Sequence, residues 1–181
     1  MLFNFLFFTP MAAGMVVWPA VVDLSNGKWA SSIEHNALAG IVFAPVSLGV
    51  FVILFFARSF WAEWMHEGSL PQGAWLSVIF VFLRDGAALL AIWLLAYWFM
   101  RRRKRGNAGR FLTGTLVVTY CVVFSLIAFD MVMALDPRWY SSLFGAYFFV
   151  SGMFAAVCAW TFVYIIRSRE TSKDHLRDLG N

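Results

Sequence analysis

Five long apolar stretches, separated by short connections rich in polar residues or helix breakers, account for most of this chain. They run over about Leu2–Leu24, Ala37–Ala57, Trp75–Met100, Phe111–Met133 and Phe144–Ile166. A helix needs roughly 20 apolar residues to cross a hydrocarbon core, and each stretch is close to that length. None alternates apolar and polar positions as a barrel strand does, and each is too long for one. The connections carry Ser25-Asn26-Gly27-Lys28, the Gly68–Gly73 stretch with Pro71, and Asp136-Pro137. The pattern predicts an all-α integral membrane protein, a bundle of five transmembrane helices over residues 1–166. The charged segment 167–181 is predicted to be a cytoplasmic tail. At the N-terminus, Met1–Thr9 has no basic residue and the apolar run continues past Pro10 and Pro19 to Val22. A retained, proline-kinked span is therefore expected, and not a cleaved signal peptide.

Composition strengthens this reading. The chain is 61% hydrophobic and 13% charged, against about half apolar and a quarter charged in a soluble domain. The net charge of +4 does not point to nucleic acid, because six of the 14 basic residues fall between Arg101 and Arg110. That cluster lies between two apolar stretches and reads as a topology signal. It puts the loop on the cytoplasmic side, together with the tail carrying Arg167, Arg169, Lys173 and Arg177. Ser59–Ala74, which holds Glu63, His66 and Glu67 but no Lys or Arg, falls outside with the Asp136 turn. The expected orientation is N-terminus out, C-terminus in. Cys121 and Cys158 lie within apolar runs and read as small core residues, not as a disulfide or metal pair.

Against this background the ionisable residues inside the spans stand out, since a charge there is costly unless paired or hydrated. Arg84 and Asp85 lie roughly 13–15 Å into the third stretch, and Asp130 about 5 Å from the end of the fourth. Asp136 follows at the turn. Separate helices thus bring Arg84, Asp85, Asp130 and Asp136 to the outer half of the membrane. Arg84 keeps its proton and needs an anion or a hydrated cavity. Asp85 points about 100° away around the helix, so Asp130 or Asp136 is the expected partner. A carboxylate beside a guanidinium stays ionised, while one left in apolar surroundings can exchange protons. A buried ion pair that sets helix register is the competing structural explanation. Thr119 and Thr115 fall near the face of Asp130 and either extend a proton path inward or bond carbonyls of their own helix. A second polar group, Asp23, Lys28, Glu34 and His35, lies at the inner face. It is either an ordinary solvated loop or the cytoplasmic mouth of that path.

The three histidines, His35, His66 and His175, do not form a paired set for haem, and there is neither a Cys-x-x-Cys-His nor a cysteine set for an iron–sulfur cluster. No phosphate-binding glycine loop is present. No cofactor bound by this chain itself is expected, so a redox role requires partners. Trp61, Trp64, Trp75, Trp93, Trp98, Trp139 and Tyr140 read mainly as interfacial anchors. One of them beside the outer cluster could line a quinone pocket.

The run Phe129-Asp130-Met131-Val132-Met133-Ala134-Leu135-Asp136-Pro137-Arg138-Trp139-Tyr140-Ser141-Ser142-Leu143-Phe144-Gly145 resembles the D-W-x-M-S-L-D-P-x-W-x-S-T-x-x-G signature of one family, the F subunit of bacterial alternative complex III. That complex is a quinol:cytochrome c oxidoreductase, and the subunit is of the polysulfide-reductase (NrfD-like) type. Met131 stands where the family usually has Trp and Ala134 where it has Ser. Gly27-Lys28-Trp29-Ala30-Ser31 with Glu34, and Leu76 to Arg84, are similar to other family segments in the same order. The resemblance covers about half the usual family length, corresponding to the second to sixth of about ten helices. It implies a multi-pass subunit of the bacterial inner membrane beside a quinol-oxidising sister subunit. Haem c and iron–sulfur clusters would be carried by peripheral partners, with quinone nearby. It also implies a proton path through Asp130, Asp136 and Arg84, with Glu34 matched more loosely. A purely structural scaffold in an electron-transfer supercomplex is the alternative. A small transporter is a third reading, weakened by the lack of a visible internal repeat.

Overall fold

The computed structural model describes residues 1–27, 40–61, 77–106, 108–136 and 139–167. Within them the chain is helical, with no strand. We number the helices α1 (Leu2–Leu24), α2 (Ala44–Phe56), α3 (Val78–Arg103), α4 (Arg110–Met131) and α5 (Phe144–Arg167). Short 3-10 turns follow α2 at Arg58–Phe60 and α4 at Met133–Leu135.

Helix ends follow local chemistry. After α1, Asn26 takes a positive φ of 57°. The Gly27 N–H then bonds the Val22 carbonyl at 2.9 Å and the Asn26 N–H bonds Asp23 O at 3.2 Å. This is the paired Schellman closure, which favours Gly or Asn at the left-handed position. The last turn of α3 holds Arg101, Arg102 and Arg103, which complement the negative end of the helix dipole. Asp136, which precedes a proline, is extended at φ −123°, ψ 98°, as the proline ring requires of its neighbour. That stops the α4 region and redirects the chain into α5.

Among the described residues, four helices are long and apolar enough to cross a membrane, α1, α3, α4 (continued to Leu135) and α5, and a shorter apolar helix covers Gly40–Phe56. Their outward faces are apolar too. Phe3, Ile79, Leu83, Leu94, Phe111, Val118, Phe154 and Phe162 are all exposed. Greasy surfaces outside as well as inside are what a lipid solvent selects.

The second stretch, expected to span over 37–57, is described from Gly40 onward. Gly40 lies against the middle of α1, so close that a Cβ there would stand 2.4 Å from the Ala12 carbonyl oxygen. Ala12 is 12 residues, or roughly 18 Å, before the end of α1. The described part of this stretch therefore rises from mid-depth. Its apolar sequence could not reveal that, because hydropathy marks burial in lipid or protein but not depth.

α1 is the hub. It contacts α2, α3, α4 and α5, most extensively α5, while α4 also packs on α3 and α5. Small residues let it do so. A Cβ on Gly14 would meet Ala156 Cβ at 2.7 Å, and one on Gly152 would meet Pro10 Cβ at 2.7 Å and the Tyr120 hydroxyl at 2.8 Å. Close approach through small residues is the usual basis of helix association in lipid. Tyr120, fully buried on α4, fills the junction. Its hydroxyl lies 3.1 Å from Pro10 O on α1 and 3.3 Å from Phe149 O on α5, donating its one proton to either carbonyl.

α2 is fastened to α3 by a polar contact. The Trp93 indole N–H donates to Ser47 Oγ at 2.8 Å, and the Ser47 hydroxyl donates to Ala44 O at 2.8 Å. Trp93 is thus a buried internal strut, where an interfacial anchor was expected. Its position midway along α3 was the available signal. Cys121 and Cys158 are free thiols, and Cys158 faces outward, not into the core.

Candidate functional site: an arginine and two aspartates between α3 and α4

α3 and α4 run antiparallel, so the first turns of α3 lie beside the last turns of α4. Arg84 is six residues into α3, roughly 9 Å along its axis, and Asp130 is the penultimate residue of α4. The Arg84 Nη2 donates to Asp130 Oδ2 in an ion pair between the two helices. Asp130 is 2% exposed and the Arg84 side chain 14%. Of the two expected partners, Asp130 and Asp136, Asp130 is the one that takes the Arg84 Nη2 contact.

Asp85 joins them. Its carboxylate is fully buried, with Oδ1 3.5 Å from Arg84 Nε, and it is within side-chain reach of Asp130. Sequence reasoning placed Asp85 at the right depth but turned it away from Arg84. An arginine side chain is long enough to lie back across its own helix, which the 100° rotation does not capture. The guanidinium thus contacts Asp130 through Nη2 and Asp85 through Nε. Its carbon also lies 4.9 Å from the centre of the Phe80 ring, one turn back on α3. That cation–π contact adds roughly 0.5–2 kcal/mol.

The two acids are not equivalent. Asp130 receives the Arg84 Nη2 directly, whereas Asp85 has only the longer contact to Nε. Neither Asp85 oxygen has a hydrogen-bond partner among the described residues. Groups this buried are normally hydrogen-bonded, so Asp85 is the member whose chemistry the fold leaves open.

Asp136 is exposed, beyond the 3-10 turn at Met133–Leu135. Thr119 is half-buried on α4, three turns before Asp130 and roughly 16 Å away along the axis. The Thr115 hydroxyl donates to Phe111 O at 2.9 Å and that of Thr113 to Gly109 O at 3.1 Å, the ordinary local use of a helical threonine. Glu34 and His35, with Lys28, lie outside the described residues, as do Glu63, His66, Glu67, Trp64, Trp75 and Arg138.

At the opposite end of the bundle, Asp23 at the close of α1 pairs with Arg103 Nη1 at the close of α3, and Arg110 Nη2 donates to Asn26 Oδ1 at 3.1 Å. Asp23 was expected in an inner-face group with Lys28, Glu34 and His35, which lie outside the described residues; its described partner is Arg103 of α3. Arg84 and Arg103 are 19 residues apart on α3, roughly 28 Å. Two ion pairs therefore stand near the two faces of a layer as thick as a hydrocarbon core.

No group of three or more metal-ligating side chains is found among the described residues. Comparison with protein-family models, with curated proteins and with solved structures returns no match to this chain.

Proposed function

We propose that the chain is a membrane subunit of a quinol-oxidising electron-transfer complex of the alternative complex III type, in the bacterial cytoplasmic membrane, where it handles protons through Arg84, Asp85 and Asp130. The observation that carries this reading is the cluster itself, two buried carboxylates sharing one guanidinium between two membrane-length helices. Ionisable groups in such positions are expensive and mark ion or proton pathways. The signature run around Asp130 and Asp136 supports the family assignment. In this reading the N-terminus is outside and the C-terminus inside, with the cluster near the outer face. Quinol binds at a sister subunit, and haem c and iron–sulfur centres belong to peripheral partners.

Purification of the chain from native membranes in mild detergent tests the assembly. Co-purification with c-type haem absorbance is expected, and a haem-free preparation of the chain alone would count against it. Asp130→Asn is expected to leave the complex assembled but slow its turnover. Unchanged turnover and proton yield would leave the cluster a structural ion pair.

A further inference from the structure

We propose that Asp85 carries the exchangeable proton of the cluster, while Asp130 serves as the fixed counter-ion of Arg84. This rests on the proton-handling reading above and names the group responsible. The division follows from geometry. Asp130 takes the direct Arg84 Nη2 contact, the closest pairing the guanidinium makes and therefore the counter-ion of its charge. Asp85 is fully buried, and neither of its oxygens has a hydrogen-bond partner among the described residues. Its contact with Arg84 is 3.5 Å, too long for a strong charge-assisted bond. The charged groups that act on it among the described residues are Arg84 and Asp130.

A single guanidinium offered to two buried carboxylates satisfies the one it bonds directly. The other stays buried at low cost only as a neutral acid, whose O–H then becomes a donor toward Asp130. Uptake adds one proton from water to an Asp85 oxygen. Release returns the carboxylate, and no electron moves. The arrangement is a proton site with a built-in anchor: Arg84 and Asp130 hold α3 to α4 whichever state Asp85 is in.

The test is infrared spectroscopy of the full chain in lipid nanodiscs, with the proton as the probe, in H2O and D2O across a pH titration. A carboxylic-acid C=O band that shifts in D2O and titrates is expected. Asp85→Asn should remove it, Asp85→Glu should move it, and Asp130→Glu, which alters only the acceptor of its O–H, should retain a titrating band. The glutamate variants keep the charge, so they remain informative if the asparagine variant folds poorly. A band that moves in Asp130→Glu and not in Asp85→Glu would overturn the assignment. So would the absence of any carboxylic-acid band. The outcomes are separable from those for the proposed function: an Asp85 band in a variant series whose complex pumps and turns over normally would uphold the protonation and remove its role.

Discussion

Removing one member of the Arg84–Asp130 pair is predicted to be costly in an unequal way. Breaking a buried ion pair by deleting one partner costs about 3–5 kcal/mol, because the other charge is left uncompensated. Arg84→Met strands the buried Asp130 carboxylate beside a second acid, with no cation left between them, and should reach the upper end of that range, about 5 kcal/mol. Asp130→Asn leaves Arg84 with a substitute already 3.5 Å away in Asp85, so the loss should fall to the lower end or below, about 3 kcal/mol or less. The double replacement, Arg84→Met with Asp130→Asn, removes both charges of the pair and should cost less than Arg84→Met alone. Neutral replacement of a buried pair is often tolerated. Nine tryptophans give a strong fluorescence readout of unfolding in mixed micelles titrated with SDS. At 1.36 kcal/mol per tenfold, the two single variants should differ in unfolding constant by an order of magnitude or more. Equal losses for Arg84→Met and Asp130→Asn, adding without coupling in the double variant, would refute the reasoning. They would mean that the three side chains do not share one charge balance.

Other perturbations test the fold around the site. Gly152→Val should push α5 off both Pro10 and Tyr120, with an overpacking cost of about 1–3 kcal/mol; the same SDS titration would show it, and an unchanged midpoint would contradict the close crossing. Tyr120→Phe keeps the volume but loses one hydrogen bond, and should cost about 1 kcal/mol. Cysteines introduced at Gly106 and Ser141, in a background with Cys121 and Cys158 replaced, should react with an impermeant maleimide from opposite sides of sealed vesicles, Ser141 from outside. Labelling of both from one side would overturn the topology.

Much of this architecture was legible because lipid imposes a coarse code. Apolar length alone locates α1, α4 and α5 closely, and α3 within a few residues. The basic run merely extends α3 to Arg103, since arginines at a helix C-terminus cap it and need not end it. That Arg84 meets an acid at the end of α4 was legible as well, because depth along two antiparallel helices can be counted, though the choice between Asp130 and Asp136 was not. Features set by three-dimensional packing were not. Nothing in the apolar run near Gly40 shows that it meets Ala12 at mid-depth. Tyr120 reads as one more aromatic until Pro10, Gly14 and Gly152 are seen to converge on it. Asp136 sits in the same signature as Asp130 but lies exposed past a 3-10 turn, because the bend before Pro137 carries it out of the helix line. Asp85 was judged by backbone angle, while its contact is decided by the reach of a flexible neighbour.

The central claim is that buried acids held by one arginine move protons in a larger electron-transfer assembly. Proton yield per electron, measured in sealed vesicles containing the purified complex with wild-type chain or Asp85→Asn, addresses it most directly. The predicted result is an assembled complex whose proton yield falls in the variant while electron transfer from quinol persists or slows. An assembled Asp85→Asn complex with the wild-type proton yield at the wild-type rate would contradict the account.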